Sequence, residues 1–197
     1  MARKRKADHD TAIAGALELF WRKGYAGAST REIEEETGLT RFMLQTAYGG
    51  KESFFLETLD AYLDRAEAQV FPDETKSGLE ELAGWFEWIS DPERMPLVGE
   101  CGCLAFNSIG QFDRSDEEVN KRLERYLSAL QSRFRVILKT EIERGKAAPG
   151  LDADDAAQVL LSLVLGLHSI FRARTDDRIA LSYARSASAL VRSWSAR

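Results

Sequence analysis

Residues 29–55, STREIEEETGLTRFMLQTAYGGKESFF, constrain the fold more than any other stretch of the chain. Ser29 and Glu32 form a Ser-x-x-Glu pattern, in which each side chain satisfies a backbone donor at the start of a helix. Ile33 is the only large apolar residue of that helix, so the helix is short. Gly38 can take the left-handed backbone that a sharp turn needs. Leu39 can then tuck inward, and Thr40 is placed to cap the next helix. Leu44 and Tyr48, four residues apart, give that helix one buried face. A helix of this length is not stable alone. It needs a brace, which the preceding segment DTAIAGALELFWRKGY supplies: Ile13, Leu17 and Phe20 fall at helical spacing, with Ala16 beside them and Gly24 at the end. The expected unit is helix, turn, helix, with about three residues between the last two helices. The outer face of the third helix is left for a partner.

The remaining segments also read as helices. KESFFLETLDAYLDRAEAQVF places Phe55, Leu59, Tyr62, Leu63 and Ala66 on one face. Ser77 with Glu80 forms a second capping box ahead of GLEELAGWFEWIS, which Asp91-Pro92 stops. PERMPLVGEC reads as loop, followed by a short helix from Cys103 to about residue 112. Ser115 with Glu118 opens a long helix to about residue 144, Asp152 opens another to about residue 173, and a last one spans about residues 177–194. The fold class is therefore all-α. A helix-turn-helix unit of three helices is expected over residues 1–50, and a larger helical domain over residues 51–197.

Composition narrows the setting. Of 197 residues, 44% are hydrophobic, enough for a substantial core, and four prolines leave long helices uninterrupted. No run of ~20 apolar residues is present, so no membrane partner is expected. The basic start has no apolar segment behind it and is not a secretion signal. Two cysteines are too few for a disulfide framework, which fits a reducing, cytoplasmic setting. The net charge of −5 argues against a nucleic-acid partner, but charge location outweighs the sum. Arg3, Lys4, Arg5 and Lys6 form a basic arm that can reach phosphates, or a solvated tail.

At the front of the third helix stand Arg41, Phe42 and Met43. Arg41 can pair with guanine O6 and N7, while Phe42 and Met43 can touch thymine methyl groups, which would account for bulky apolar residues at an exposed helix start. The plainer alternatives are a surface charge for Arg41 and core packing for the other two. Arg31, opening the second helix, is a further candidate for a base edge.

The segment STREIEEETGLTRFMLQTAYGGKESFF resembles the DNA-binding segment of the TetR family of bacterial transcriptional regulators. The matching residues are Thr30, Arg31, Ile33, Gly38, Leu39, Thr40, Leu44, Tyr48, Lys51 and Glu52, and ALELFWRKGYAGAS resembles the family's first helix and the loop after it. Gln45 stands where the family has a phosphate-contacting aromatic, Phe42 replaces a small residue, and Glu34-Glu35-Glu36 replaces Ala and Gly. The resemblance implies phosphate contacts from Thr40, Gln45, Thr46, Tyr48 and Lys51, with the Arg3–Lys6 arm helping. It implies double-stranded operator DNA as partner and a small-molecule effector bound by the C-terminal domain. No cofactor or metal is expected: the only histidines are His9 and His168, and two thiols make a poor zinc site.

Aromatic groups available to hold an effector are Trp85, Trp88, Phe106, Tyr126, Phe134 and Phe171, which could equally be core. His168, inside an apolar helix, is either a satisfied core histidine or a polar anchor. Some regulators of this family carry a Gly-Cys-Leu-x-x-Asn segment, here Gly102, Cys103, Leu104 and Asn107, and certain of them respond to electrophiles through cysteine. A thiol at a helix start gains nucleophilicity, so Cys103 is either a reactive group or a small packing residue. The segment AAQVLLSLVLGLHSIF is apolar nearly all round, which asks for cover on two sides. With the last helix it could form a two-fold four-helix interface through Leu163, Leu167, Ile170, Tyr183, Ala187, Leu190, Val191 and Trp194, unless a large monomeric core buries everything. No nucleophile–base pair or phosphate-binding glycine loop is visible, so an enzyme is not expected. The expected function is a homodimeric repressor released by a ligand or by cysteine modification. An all-helical enzyme or carrier, or a protein–protein adaptor, is the alternative.

Overall fold

Ten α-helices follow one another along the described residues: α1 (Ala2–Gly27), α2 (Thr30–Thr37), α3 (Arg41–Tyr48), α4 (Lys51–Gln69), α5 (Leu79–Ile89), α6 (Pro96–Cys101), α7 (Leu104–Ile109), α8 (Glu117–Glu143), α9 (Ala153–Arg172) and α10 (Asp177–Ser193). The computed structural model describes the backbone of residues 2–112, 116–173 and 176–196, and the side chains of residues 9–112, 116–173, 176 and 178–196. The chain is all-α, and the one extended pairing among these residues is an isolated antiparallel bridge between Ala147 and Ser195.

Two compact units are present. The first comprises residues 1–66 and 104–123, the second residues 67–103 and 124–197. The first is larger than residues 1–50 because α4 supplies its core: Phe20 of α1 meets Phe54 and Phe55 edge-on at 6.4 and 5.0 Å. Ile33, Leu39 and Leu44 are buried with them. Where α1 crosses α2, a Cβ on Gly15 would lie 2.8 Å from the Glu36 carbonyl, so only glycine fits. Gly24, at φ 73°, breaks the helical backbone near the end of α1. The Tyr25 N–H beyond it donates to the Gln111 side chain at 2.6 Å, and Phe112 stacks on Phe55 at 5.1 Å.

In the second unit α5 packs against α10 and α6 against α9. Phe86, Phe134, Leu82, Leu130 and Ile137 are fully buried there. Ser188 donates to Glu87 at 2.7 Å, and Arg192 bridges Glu80 and Glu87. By length and mean hydropathy alone α9 is apolar enough to cross a membrane. Its apolar residues have another use, because Ala157, Leu160, Val164 and Leu167 are buried in this unit's core.

Several local expectations shift. The cap of α5 is Gly78, whose N–H donates to Glu81 at 2.9 Å, rather than the Ser77–Glu80 pair one residue earlier. Asp116 accepts the Val119 N–H at 3.0 Å at the start of α8, while the expected cap Ser115 lies outside the described residues. Residues read as loop form α6, started by Pro96, a residue well suited to a first helical turn. The helix expected from Cys103 is only the six residues of α7, with Cys103 just before it.

Candidate nucleic-acid interface

The third helix is held in place at both ends. Ser29 accepts the Glu32 N–H while Glu32 accepts the Ser29 N–H at 2.8 Å, so α2 starts where expected. Gly38, at φ 69°, ends α2, and Thr40 caps α3 by accepting the Met43 N–H at 3.2 Å. A second acceptor joins it: the Glu34 carboxylate takes the Arg41 N–H. Glu34 thus helps to start α3, a capping role that reading the sequence missed. Gly49, at φ 81°, closes α3.

Leu44 is buried and Tyr48 half-buried, which turns the rest of α3 outward. Arg41, Gln45 and Thr46 are exposed, Phe42 is 75% exposed and Met43 42% exposed. Core packing is therefore not what these two apolar side chains do. Both side chains are open to solvent at the front of α3.

The other candidates differ in how free they are. Arg31 is exposed and bonded to Glu35 at 2.8 Å, an i,i+4 pair. Thr30 is half-buried at the start of α2. Thr40 already caps α3, and the Thr46 hydroxyl donates back to the Phe42 carbonyl at 2.8 Å. The Gln45 amide reaches the Gly49 carbonyl at 3.5 Å. Lys51 lies 4.4 Å from the Tyr25 ring centroid, and burial pulls its ammonium below the ordinary lysine range. Tyr48 bonds His9 Nδ1 through its hydroxyl at 3.0 Å, an interaction with no signal in the sequence. The side chains of Arg3, Lys4, Arg5 and Lys6 lie outside the described residues.

The candidate effector residues do not share one unit. Phe106 and Asn107 sit on α7 in the first unit, while Trp85, Trp88, Cys103, Tyr126, Phe134, His168 and Phe171 belong to the second. Within the second, Phe134 and Cys103 have no exposed surface and Tyr126 and Phe171 little. Trp85 meets Phe134 at 5.6 Å and donates its indole N–H to the Val70 carbonyl at 2.6 Å. Trp88 is half-buried. The Cys103 thiol donates to the Tyr126 hydroxyl at 3.7 Å, and both cysteines are free thiols. Burial pushes the His168 imidazole down to about 4, so it is neutral near pH 7.

Of the expected dimer residues, Leu167, Ala187 and Val191 are spent inside the chain's own core at 0–1% exposure. An all-round apolar helix has two apolar stripes, and periodicity alone does not say which one the core takes. Leu163, Ile170, Tyr183 and Trp194 are half-buried, and Leu190 is 37% exposed. The outer stripe of α9 is Val159, Leu163, Gly166 and Ile170; that of α10 is Ile179, Tyr183, Ser186 and Leu190. Gly166 and the Tyr183 ring are in close approach, which joins the two stripes into one surface.

Comparison with known proteins bears on both units. Residues 12–58 match the family described as bacterial regulatory proteins, tetR family, and residues 78–188 match the tetracyclin repressor-like C-terminal domain. The chain is 27% identical over 169 residues to the HTH-type transcriptional repressor ComR of Escherichia coli (strain K12), covering 84% of this chain and 80% of ComR. A TetR-family transcriptional regulator from Cytophaga hutchinsonii superposes with a TM-score of 0.84 at 18% identity, covering 95% of this chain and 94% of its own. The regulator CifR, as a cysteine mutant complexed with 26 bp double-strand operator DNA, superposes with a TM-score of 0.77 at 23% identity, covering 94% and 95%.

Proposed function

This chain belongs to the TetR family of bacterial transcriptional regulators, and from that premise we propose that it is a homodimeric repressor whose α3 helices read two half-sites of an operator. The family makes it a DNA-binding regulator. The observation that carries the finer reading is the outward display of Arg41, Phe42 and Met43 on a helix whose Leu44 is anchored inside. In this reading Arg41 meets a guanine edge, Phe42 and Met43 meet thymine methyls, and Arg31 reaches a base edge after exchanging Glu35 for DNA. Thr30, Thr40, Gln45, Thr46, Tyr48, Lys51 and the Arg3–Lys6 arm supply backbone contacts, which set affinity and its salt dependence.

The dimer forms through the joined outer stripes of α9 and α10, including Leu163, Ile170, Tyr183 and Leu190. A two-fold pair suits half-sites about one helical turn apart, or a multiple of it. Release follows when an effector favours the conformation in which the two reading helices are wrongly spaced. The effector is a small molecule taken up by the C-terminal domain or an electrophile that modifies Cys103, and the regulator acts in the cytoplasm, with DNA.

The test is a binding titration on the DNA immediately upstream of the chain's own gene, at two salt concentrations, beside a random duplex of equal length. Tighter, salt-dependent binding to the upstream DNA by a species of dimer mass is the expected result. Equal binding to both duplexes would remove the operator reading, and a monomer mass would remove the dimer.

A further inference from the structure

We propose that His9 is a positioning residue for DNA binding, whose protonation decides whether the Tyr48 hydroxyl can donate to a phosphate; this rests on Tyr48 being a phosphate contact, as proposed above.

The geometry is a three-part chain across three helices. The rings of His9 in α1 and Tyr48 in α3 are nearly parallel, with centroids 5.8 Å apart and planes 9° apart. His9 Nδ1 is 3.0 Å from the Tyr48 oxygen. On the other side, His9 Nε2 is 3.4 Å from a carboxylate oxygen of Glu57 on α4. Among the described residues, the titratable groups bonded to or paired with the imidazole are Tyr48 from α3 and Glu57 from α4.

A phenol has one proton, and that count decides the matter. In neutral His9 the carboxylate of Glu57 favours the tautomer with its proton on Nε2. Nδ1 is then an acceptor, and the Tyr48 O–H must donate to it. In that state Tyr48 has only lone pairs to offer DNA, and a phosphate oxygen has no proton to give them. When His9 takes a proton from solvent onto Nδ1, both ring nitrogens donate. The Tyr48 oxygen now accepts from Nδ1–H, and its own proton turns to a phosphate oxygen. No bond between heavy atoms changes; one proton enters from solvent and one hydroxyl rotates. The imidazolium also adds positive charge beside the same phosphate.

Binding and protonation are then linked in both directions. DNA affinity therefore rises as the imidazole takes up its second proton and falls as it loses it. The other histidine does not contribute near neutrality, because burial holds His168 neutral down to about 4.

The test uses fluorescence anisotropy with a random-sequence duplex at low, constant ionic strength, since a phosphate contact needs no particular sequence. Wild type is expected to bind roughly tenfold more tightly at pH 6 than at pH 8, the size of one hydrogen bond to a charged group. His9→Phe keeps the stack and should bind with no such slope. Tyr48→Phe should cost roughly tenfold at pH 6 and little at pH 8; a residue that only stabilised the fold would cost both alike. Long-range proton–nitrogen NMR on the wild type gives a second readout free of variants: neutral His9 should carry its proton on Nε2, and DNA should raise the pH of its transition. A flat wild-type profile, a slope kept by His9→Phe, or a proton on Nδ1 in the neutral form would overturn the inference. Absence of binding at every pH would instead remove the DNA-reading role of α3, on which the inference stands.

Discussion

The carboxylate of Glu34, in α2, accepts the backbone N–H of Arg41, the first residue of α3. With Thr40 accepting from Met43, α3 has two of its free N-terminal donors satisfied, one by a side chain from the helix before it. The negative charge also suits a helix N-terminus. Glu34→Ala should lower the unfolding free energy by about 1 kcal/mol, the usual worth of an N-cap acceptor, and Glu34→Gln by less, since its amide oxygen still accepts. The control is Glu36→Ala, at an exposed position of the same helix. Denaturant midpoints that fall equally for Glu34→Ala and Glu36→Ala would show that the cap contributes nothing.

Where the physics is local, the chain could be read without coordinates. The Ser29–Glu32 box, Gly38 and Thr40 lie within one turn of the backbone groups they satisfy, and all three act as expected. The same rule misplaced the start of α5, because Gly78–Glu81 and Ser77–Glu80 have the same spacing and glycine carries no side chain to flag it. Helix α6 is too short for a period to show. Glu34 and His9 were missed because each acts on a residue brought near by the fold, seven and thirty-nine positions away. The stripe of α9 and α10 that the chain buries itself is likewise a product of packing, so Leu167, Ala187 and Val191 could not be separated from Leu163 and Tyr183 beforehand.

Arg41 and Lys51 should fail in different ways. Arg41 is exposed at the front of α3, where a bidentate contact with guanine gives ~1–3 kcal/mol of discrimination. Arg41→Ala is expected to weaken the cognate duplex by that amount and random DNA far less. Lys51 lies at the start of α4 beside the Tyr25 ring, and its proposed contact is a phosphate rather than a base. Lys51→Ala should weaken both duplexes alike and lower the salt slope by about one. Equal losses on the two duplexes for Arg41→Ala would take it off the list of specificity residues.

If the proposed dimer forms through the outer stripe of α9, a charge placed there should separate the protomers. Leu163 is half-buried on that stripe, between exposed Val159 and the Gly166–Tyr183 contact. Leu163→Arg is tolerable in a lone chain, where the arginine can extend into water, and costly across a two-fold axis, where two like charges would meet. Sedimentation should report a monomer with native helicity, and operator affinity should drop by at least 100-fold, because one half-site contact is roughly what each head can supply alone. A dimer that persists in Leu163→Arg would place the interface elsewhere.

If modification of Cys103 releases DNA, it must do so by opening the core. The thiol has no exposed surface and sits 3.7 Å from the Tyr126 hydroxyl, so an added group has no room without displacing Tyr126 from Phe71, 5.1 Å away. An electrophile such as N-ethylmaleimide should therefore react slowly with the native protein, with DNA release following labelling at the same rate. Cys103→Ser should block both, and Cys101→Ser neither. Release from Cys103→Ser at the wild-type rate would exclude the thiol and leave a reversibly bound small molecule as the effector.

His168 makes the stability of the chain depend on pH on the acid side. Its imidazole is buried in α9 and pushed down to about 4 from the ordinary 6.5, by loss of water around the charged form. Between those values the unfolded chain binds a proton that the folded chain does not, so stability is full above about pH 6.5 and falls as pH drops toward 4. The displacement is worth about 3 kcal/mol across that window. His168→Leu, close in volume and unable to titrate, should remove this part of the slope while leaving the steeper loss below pH 4, where paired carboxylates such as Glu32, held at about 2, begin to protonate. Urea midpoints at pH 7, 5.5 and 4.5 for the two proteins measure the difference directly. Parallel declines in wild type and His168→Leu would mean that the imidazole is charged and solvated in the folded chain.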